Sequence, residues 1–484
     1  MKDHETLDPQ DWERQRKLAH RIMDEALDFV EQVRERPVWQ EMPKTVKAMF
    51  DVPAPTSGVT LEEVYERVKT EVMPYALGNL SPMFWAWYMG NGTYSGALAD
   101  FLTSIINSNA GAGNHVGQHL EDQVIKWMNE IIGYPRDSSG IMVSGGSMAN
   151  FVGLTVARHV KSGFDIRREG MRAGEMQMTV YGSTELHSCN QKAVELLGIG
   201  SAYLRKIQTN DDHTINLAAL QHQIQEDRGN GLLPICVIGS AGTVNTGAID
   251  DLNGLADLCS RENVWFHIDG AIGAIAMLSP QARPQLSGIE RSDSIALDLH
   301  KWMHVPFEAG CVLVKNRIAH RDAFVLTPEY LEANVRGIAS GNHWYSEYGL
   351  QLSRRMRSLK VWMSIQEHGL EKLGRMITKN IEQAHYLEKQ IDKHPRLELV
   401  APVGLDIVCF RYIPKSGDYN QINNEILILL HERGLAVPSY TTLGGIYCIR
   451  VAISNHRSVM ADFDFLIEKT VEIGAELERA VATV

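Results

Sequence analysis

Apolar residues in the first part of the chain recur at helical spacing. Between residues 8 and 36 most of them recur at steps of three or four residues, at Trp12, Leu18, Ile22, Ala26, Phe29, Val30 and Val33. This spacing predicts a helix, which Pro37 ends. A second short helix is predicted over 60–72, with Thr60 as its cap. Residues 1–80 are therefore predicted to form a helical arm, either a pair of surface helices or a segment that packs on another subunit.

The pattern changes from residue 81 to about 320. Short apolar runs alternate there with helical stretches, and they read GIMVSG, MQMTVYG, PICVIGSAG, VWFHIDGA, SIALDL and GCVLVK. Strands that alternate with helices predict an α/β fold with βαβ units and a mainly parallel sheet. Ligands of such sheets bind at the carboxyl ends of the strands. The polar residues that end these runs are therefore the functional candidates.

The remaining third of the chain is a mixed α/β region. An irregular, glycine-containing segment over 321–346 precedes a basic helix in LSRRMRSLKVWMSIQEHG. Helices are then predicted over 366–392, 420–433 and 458–480, with strands in LELV, DIVCFRYI and YCIRVAI. The predicted domains are the arm (1–80), a large ligand-binding domain (81–365) and a small C-terminal domain (366–484).

Composition excludes several classes of protein. The 484 residues carry 47 Lys+Arg against 59 Asp+Glu, a formal net charge of −12, and no basic block, which disfavours nucleic-acid binding. No stretch reaches the roughly 18 consecutive apolar residues of a membrane helix, and the polar start MKDHETLDPQDWERQRK is not a signal peptide. Six scattered cysteines without a C-x-x-C pair predict neither a zinc site nor a disulfide framework, and they favour the cytoplasm.

Two glycine-rich strand ends are candidate ligand sites. In GIMVSGGSMANFVGLTVAR, Gly145, Gly146 and Ser147 lie between a strand and a helix, where backbone N–H groups and the helix dipole suit a phosphate. A purely steric need for Gly-Gly is the alternative. In SAGTVNTGAIDD, Thr243 either hydrogen-bonds a ligand or caps a loop.

Two charged residues end neighbouring apolar runs. Asp269 ends VWFHID, where an unpaired carboxylate is costly, so a cationic partner is expected: a protonated ring nitrogen, an arginine or a metal. Lys301 follows SIALDLH and is flanked by His300 and Trp302. Partial desolvation there favours Schiff-base chemistry, and a lysine that reaches out to water is the alternative.

Together these pieces describe one ligand. His187, at the start of a helix after MTVYG, is placed either to cap that helix or to stack on a ring. A phosphate cradle, a carboxylate for a pyridinium nitrogen, a stacking histidine and a Schiff-base lysine define pyridoxal 5'-phosphate. Ala271, just beyond Asp269, leaves room for a flat ring.

At this point the sequence resembles the group II pyridoxal-phosphate-dependent amino-acid decarboxylases, which include aromatic-L-amino-acid and glutamate decarboxylases. The motifs that carry the resemblance are GALAD (96–100), SGGSMAN (144–150), ELHSC around His187, HIDGA (267–271), LHKW (299–302) with VPFEAGCVLV, and RRMRSLKVW (354–362). The resemblance implies fold type I, the aspartate-aminotransferase type, and a homodimer with active sites at its interface.

The resemblance also implies roles for individual residues. Lys301 matches the Schiff-base lysine, Asp269 the partner of the pyridine nitrogen, and His187 the ring-stacking histidine. The other cofactor-binding positions that match are Gly145, Gly146, Ser147, Thr243, Ala271 and His300.

Further positions concern the substrate. Tyr345 matches the loop tyrosine that protonates the product carbanion, with Gly337 and Gly341 as flexible flanks and Tyr348 as the competing candidate. Candidate substrate contacts are Trp87, Tyr88 and Arg450; the aromatic pair could equally be a core stripe, and the arginine a structural ion pair.

The implied reaction is decarboxylation of an L-amino acid to its amine and carbon dioxide, a lyase reaction of amino-acid metabolism. An aromatic substrate is favoured. The alternatives are an acidic substrate (glutamate, aspartate or cysteine sulfinate), aldehyde synthesis and carbon–carbon lyase action. Asn109 and Gly111 stand where aromatic decarboxylases usually carry aromatic residues, and Leu80 stands where a histidine is common, so the substrate stays open.

Overall fold

A computed structural model of the chain describes residues 6–171, 176–326, 335–341 and 344–481. Its strands are β1 (Phe84–Trp85), β2 (Ser139–Val143), β3 (Met178–Ser183), β4 (Leu204–Ile207), β5 (Leu233–Ser240), β6 (Trp265–Asp269), β7 (Ser294–Asp298), β8 (Gly310–Val314), β9 (Leu397–Leu399), β10 (Ile407–Tyr412), β11 (Val437–Leu443) and β12 (Ile446–Ala452). Its α-helices are α1 (Trp12–Glu31), α2 (Lys44–Ala48), α3 (Leu61–Arg67), α4 (Tyr94–Ile106), α5 (Val116–Ile132), α6 (Gly146–Lys161), α7 (Ile166–Glu169), α8 (Ser188–Leu196), α9 (Leu217–Gly229), α10 (Leu252–Glu262), α11 (Leu299–Trp302), α12 (Arg317–Phe324), α13 (Ser358–Lys393), α14 (Tyr419–Glu432) and α15 (Met460–Val481).

A seven-stranded sheet in the order β2-β8-β7-β6-β5-β3-β4 forms the centre of the chain. Only β8 runs antiparallel to its neighbours, and the pairs from β7 to β4 are parallel. Every residue of β2, β3, β6, β7 and β8 is buried, which is typical of a sheet covered on both faces. The six apolar runs are all strands, so the predicted α/β fold with a mainly parallel sheet is confirmed.

A smaller five-stranded sheet has the order β1-β11-β12-β10-β9. β1 pairs in parallel with β11, with Phe84 opposite Val437. Trp85 is buried in the second core and its ring stacks on that of Phe463, with the centroids 5.1 Å apart. The segment that enters the predicted large domain is thus fixed to the smaller sheet before it continues toward residues 87–90.

The helical predictions hold with shifted ends. α1 begins after Asp11, whose carboxylate accepts a hydrogen bond from the Arg14 N–H at 3.0 Å, and none of its residues is buried. Thr60 and Glu63 form a capping box at α3, and a π-helical turn then continues to Val72. Within the described residues, no helix is long and apolar enough to cross a membrane.

The predicted basic helix starts later than expected. Residues 352–357 are not helical, because Arg354 is held by α5 and the main sheet: its Nη2 lies 2.6 Å from Glu121 Oε1 and donates to Met142 O at 2.6 Å. The helix begins at Ser358 and merges with the predicted helix 366–392, although Gly369 interrupts it with a φ of 67°. A left-handed glycine at the junction explains why the sequence pattern indicates two helices.

Candidate active site

Five strand ends meet at one edge of the large sheet. The Gly145–Ser147 turn follows β2, His187 follows β3, Thr243 follows β5, Asp269 ends β6, and Lys301 follows β7. A cavity of about 250 Å³ lies there. The predicted site residues that line this cavity are Trp87, Tyr88, Gly146, Ser147, His187, Thr243, Ala271, Asp269, His300 and Lys301. The expectation that ligands bind at the carboxyl ends of parallel strands therefore located this cavity from the sequence.

Asp269 offers a buried negative charge. Its side chain accepts a hydrogen bond from Asn190 Nδ2 at 2.7 Å through Oδ2 and from the Ala271 N–H at 3.3 Å through Oδ1. Both donors are neutral, so they orient the carboxylate without cancelling its charge. Such a group stabilises a proton on a nearby ring nitrogen.

A histidine behind Asp269 ties β6 to α6. His267 is fully buried, with Nδ1 2.8 Å from Ser294 Oγ and Nε2 2.8 Å from Asn150 Oδ1. Burial lowers its pKa to about 4, so its ring is neutral at physiological pH. Asn150 Nδ2 in turn donates to Gly146 O at 3.0 Å. This chain of contacts fixes the start of α6 relative to the strand that carries Asp269.

Lys301 is paired with a carboxylate that the sequence analysis did not single out. Its Nζ lies 3.1 Å from Oδ2 of Asp298, the last residue of β7. Asp298 Oδ1 lies 3.7 Å from His300 Nε2, and burial lowers the pKa of His300. Asp298 could have been found by the rule that singled out Asp269, because both carboxylates end an apolar strand.

The glycine turn is shaped by close packing. A Cβ on Gly146 would lie 2.7 Å from Asp298 Oδ2, and a Cβ on Gly310 would lie 2.5 Å from the Cα of Gly145. Side chains at these positions would fill the turn. Gly145 supports the turn from behind rather than lining the cavity. The N–H groups at the start of α6 are thus left open toward the cavity, which suits an anion.

His187 is the N-cap of α8, since its Nδ1 accepts a hydrogen bond from the Cys189 N–H at 3.2 Å. Its ring also lines the cavity. Burial lowers the pKa of His187, and the positive end of the helix dipole acts in the same direction. Capping and ring contact, which were alternatives in the sequence, are compatible in the structure.

Besides Gly145, two predicted residues do not line the cavity. Arg450 is buried behind it, where Nε donates to Asn245 O and Nη1 to Ser439 Oγ, both at 3.1 Å. These contacts favour the structural role over a substrate contact, although the partners are neutral and do not form the ion pair that was expected. Tyr345 is buried in the main core, with the Arg354 guanidinium 5.5 Å from its ring centre. It does not line the cavity, so its role as proton donor stays a prediction.

The loop assigned to Tyr345 is only partly described. Gly337 and Gly341 have φ values of 89° and 124°, as turn glycines do. Residues 327–334 and 342–343, within the predicted irregular segment, lie outside the described residues.

Comparison with known proteins identifies the family. The family model described as the pyridoxal-dependent decarboxylase conserved domain matches residues 43–413. The chain therefore belongs to the pyridoxal-dependent decarboxylase family, and its cofactor is pyridoxal phosphate.

Individual relatives extend the match over almost the whole chain. An aromatic-L-amino-acid decarboxylase from Bacillus atrophaeus is 34% identical over 96% of this chain and 96% of its own. A phenylacetaldehyde synthase from Arabidopsis thaliana is 28% identical over 92% and 93%. The crystal structure of Oryza sativa TDC with PLP and tryptamine superposes with a TM-score of 0.89 at 25% identity, covering 98% of this chain and all of that one.

The residues of the cavity fit the cofactor. The Gly146 turn is a cradle that a side chain would fill, the buried Asp269 carboxylate is oriented by two neutral donors, and the Lys301 amine faces the same cavity. Asp298 Oδ1 is a buried oxygen without a hydrogen-bond partner among the described residues. Phosphate cradle, acid and amine therefore surround one space large enough for a single aromatic ring and its substituents.

Proposed function

We propose that this chain decarboxylates an aromatic L-amino acid to the corresponding amine and carbon dioxide. The observation that carries the substrate class is the chemistry of the cavity wall. Aromatic and aliphatic side chains form much of it, at Trp87, Tyr88, Met89, Val244, Ile272 and Phe307. Such a wall buries an aromatic side chain favourably.

An acidic substrate is disfavoured by charge. Among the described residues no arginine lines the cavity, and Lys301 is its one lysine. The carboxylate of Glu185 lines it instead, held by Asn245 Nδ2 at 2.8 Å. A glutamate, aspartate or cysteine-sulfinate side chain would have to be desolvated beside this like charge, without a cation to pair with.

The chain's own residues have separate tasks. When bound, pyridoxal phosphate supplies an aldehyde for amine exchange and a ring that withdraws electrons. Lys301 would provide the amine that holds the cofactor. Asp269 would keep a proton on the ring nitrogen, His187 would cover the ring, and the Gly146 turn with Ser147 and Thr243 would hold the phosphate.

Decarboxylation and aldehyde synthesis are separated by their products. The products must be compared because the chain is similar both to a decarboxylase and to an aldehyde synthase. The purified enzyme, loaded with pyridoxal phosphate, is given Trp, Tyr, Dopa, Phe, His, Glu, Asp and cysteine sulfinate in turn. We expect carbon dioxide and one equivalent of amine from one or more of the aromatic acids, without ammonia or peroxide. Peroxide with an aldehyde would replace the proposal by oxidative deamination, and release from an acidic substrate alone would overturn the aromatic assignment.

We further propose that the enzyme is a homodimer in the cytoplasm. The apolar side chains of Phe101, Leu102, Ile105 and Ile106 on α4 are 42–69% exposed, which is typical of an interaction surface. Trp87 and Phe307, at the cavity, are also exposed, consistent with a site completed by a second copy. The six cysteines are all buried and free, as expected in a reducing compartment. Sedimentation analysis that finds only monomer would contradict the dimer.

A further inference from the structure

A buried hydrogen bond joins the cavity wall to the region that carries the smaller sheet. The Tyr88 hydroxyl donates to Oδ2 of Asp406 at 2.7 Å. Tyr88 is 4% exposed and Asp406 is fully buried. Tyr88 lies just after β1 and Asp406 just before β10, so the bond spans 318 positions of the chain. A contact this distant in sequence is made by the fold and not by local turn geometry.

The backbone at the Tyr88 end is strained. Trp87 and Tyr88 have φ values of 58° and 100°, in the left-handed region that bulky residues avoid. Such conformations persist only where the surroundings over-determine them, and they cluster at functional sites. The Tyr88 ring is fixed on its other side by an edge contact with Trp302, the residue after Lys301, with the ring centres 6.2 Å apart. The corner formed by Trp87 and Tyr88 is thus held between Trp302 on one side and Asp406 on the other.

The strained corner has a visible consequence for Trp87. Its neighbours Trp85 and Tyr88 are buried, whereas Trp87 is 56% exposed although it lines the cavity. The Trp87 ring also makes an edge contact with Phe84, with the ring centres 6.3 Å apart. Because Trp87 both lines the cavity and is exposed, its indole lies at the opening, where a substrate side chain would pass or rest.

Asp406 has few partners besides Tyr88. Its Oδ1 has no hydrogen-bond partner among the described residues. The charged group that faces it is Arg450, which lowers its pKa, but burial dominates and raises the pKa of Asp406 to about 7. Burying the Asp406 carboxyl costs stability unless it accepts a hydrogen bond. The Tyr88 hydroxyl therefore donates to Asp406 and does not contact the substrate.

We propose that Asp406 and the Tyr88 hydroxyl are positioning residues for the substrate side chain: their hydrogen bond holds the Trp87 indole at the cavity opening, and so sets substrate affinity. This inference rests on the proposed function for the identity of the substrate. It assigns Tyr88, a predicted substrate contact, a different task. The Tyr88 ring forms part of the cavity wall. The Tyr88 hydroxyl, by contrast, fixes the backbone that holds Trp87 in place.

The test compares three variants of the holoenzyme. Tyr88→Phe removes only the hydroxyl, and Asp406→Ala removes the acceptor. Both are expected to raise KM for the aromatic substrate about tenfold, with kcat within about twofold, which corresponds to one lost hydrogen bond. Asp406→Asn keeps an acceptor oxygen for the tyrosine and is expected to restore KM to within about threefold of the wild type.

Binding without turnover gives the second readout. The Kd for tryptamine, measured by titration calorimetry, is expected to rise in Tyr88→Phe and Asp406→Ala as KM does, while the visible absorbance of the bound cofactor stays unchanged. Trp87→Ala is expected to raise Kd as well, and Tyr88→Phe added to it is expected to cause no further rise, because both act through one ring.

The outcomes separate the two proposals. An unchanged KM and Kd in Tyr88→Phe and Asp406→Ala would overturn the positioning role, as would a fall in kcat with loss of cofactor absorbance, which marks a merely structural contact. If the wild type binds tryptamine and the variants bind it more weakly, but no aromatic acid releases carbon dioxide, the proposed function fails and the positioning role stands. A wild type that binds none of the amines derived from Trp, Tyr, Dopa and Phe, and releases carbon dioxide from none of these acids, would contradict both.

Discussion

Nζ of Lys301 lies 3.1 Å from Oδ2 of Asp298, and the carboxylate is almost completely buried while the lysine keeps 22% of its side-chain exposure. The amine expected to hold the cofactor therefore also neutralises a carboxylate at the end of β7. Removal of the lysine should have two consequences, which one double-mutant cycle separates.

Lys301→Ala is expected to abolish the visible absorbance of the Schiff base and all carbon dioxide release. It should also lower the free energy of unfolding of the cofactor-free protein by about 2 kcal/mol, because Asp298 is left buried without its cation. This loss of unfolding free energy is smaller than that expected for a fully buried ion pair, because Lys301 is partly exposed. Urea unfolding measures it.

Asp298→Asn in the Lys301→Ala background provides the control. It should return most of the lost stability without restoring the absorbance. If the double variant is no more stable than Lys301→Ala, the ion pair does not contribute as described.

Asp269→Asn is expected to lower the rate of carbon dioxide release about 100-fold, in the range seen when a charge-stabilising group is removed from an active site. The amide would keep the shape of the side chain, but not the charge that holds a proton on the ring nitrogen. Cofactor should remain attached through Lys301, and its absorbance checks this. Asn190→Ala, which removes the neutral 2.7 Å hydrogen bond to Asp269 and a long one of 3.5 Å to His187 O, is the matched control and should cost less than about tenfold. Equal losses in the two variants would contradict the importance of the charge.

Gly310→Ala tests the phosphate cradle from behind. The new Cβ would lie 2.5–2.7 Å from three backbone atoms of Gly145, so the turn must shift. We expect the affinity for pyridoxal phosphate to fall about tenfold or more, measured by titration of the cofactor-free protein; the disturbance corresponds to about 1–3 kcal/mol. Gly58→Ala, with nothing within 4 Å of its Cβ, should leave the affinity unchanged. Wild-type affinity in Gly310→Ala would show that Gly145 is not part of the phosphate site.

The sequence predicted the residues that follow from local patterns, but not those whose roles depend on partners far away in the chain. Asp269, Lys301 and His187 were recognisable because each stands at the end of an apolar run, and strand ends converge in a parallel sheet. Asn190 and Asp406 were not, because their roles depend on partners 79 and 318 positions away. Tyr345 shows the reverse problem. Its role was inferred from a match in sequence to the loop tyrosine of the family, and such a match carries no information on burial.

Tyr345→Phe is the decisive test of that assignment. Because the ring is 3% exposed and does not line the cavity, we expect the variant to release carbon dioxide within about twofold of the wild-type rate. The role inferred from the resemblance requires instead a large loss of amine and the appearance of aldehyde. Tyr348→Phe, which is equally buried, tests the competing candidate, since a loss of amine in that variant alone would assign the proton donor to Tyr348.

The buried histidines predict the direction in which pH acts on stability. His320 lies between Ser139 Oγ, 2.8 Å from Nδ1, and Tyr348 O, 2.9 Å from Nε2, and burial lowers its pKa to about 3. In the unfolded chain the pKa is about 6.5. The unfolded state therefore binds the proton first as pH falls, and stability is lost from about pH 6.5 downward.

For His320 alone the loss should reach about 3 kcal/mol by pH 4. His267 and His456, whose pKa values burial lowers to about 4, act in the same direction, so the wild-type curve is steeper than one group accounts for. His320→Gln isolates one contribution, because glutamine offers a donor and an acceptor but does not titrate in this range. Its free energy of unfolding should be lower than that of the wild type at pH 8 and should fall less between pH 6.5 and 4. Parallel curves for the two proteins would mean that His320 is protonated alike in the folded and unfolded chain, which its two hydrogen bonds and complete burial argue against.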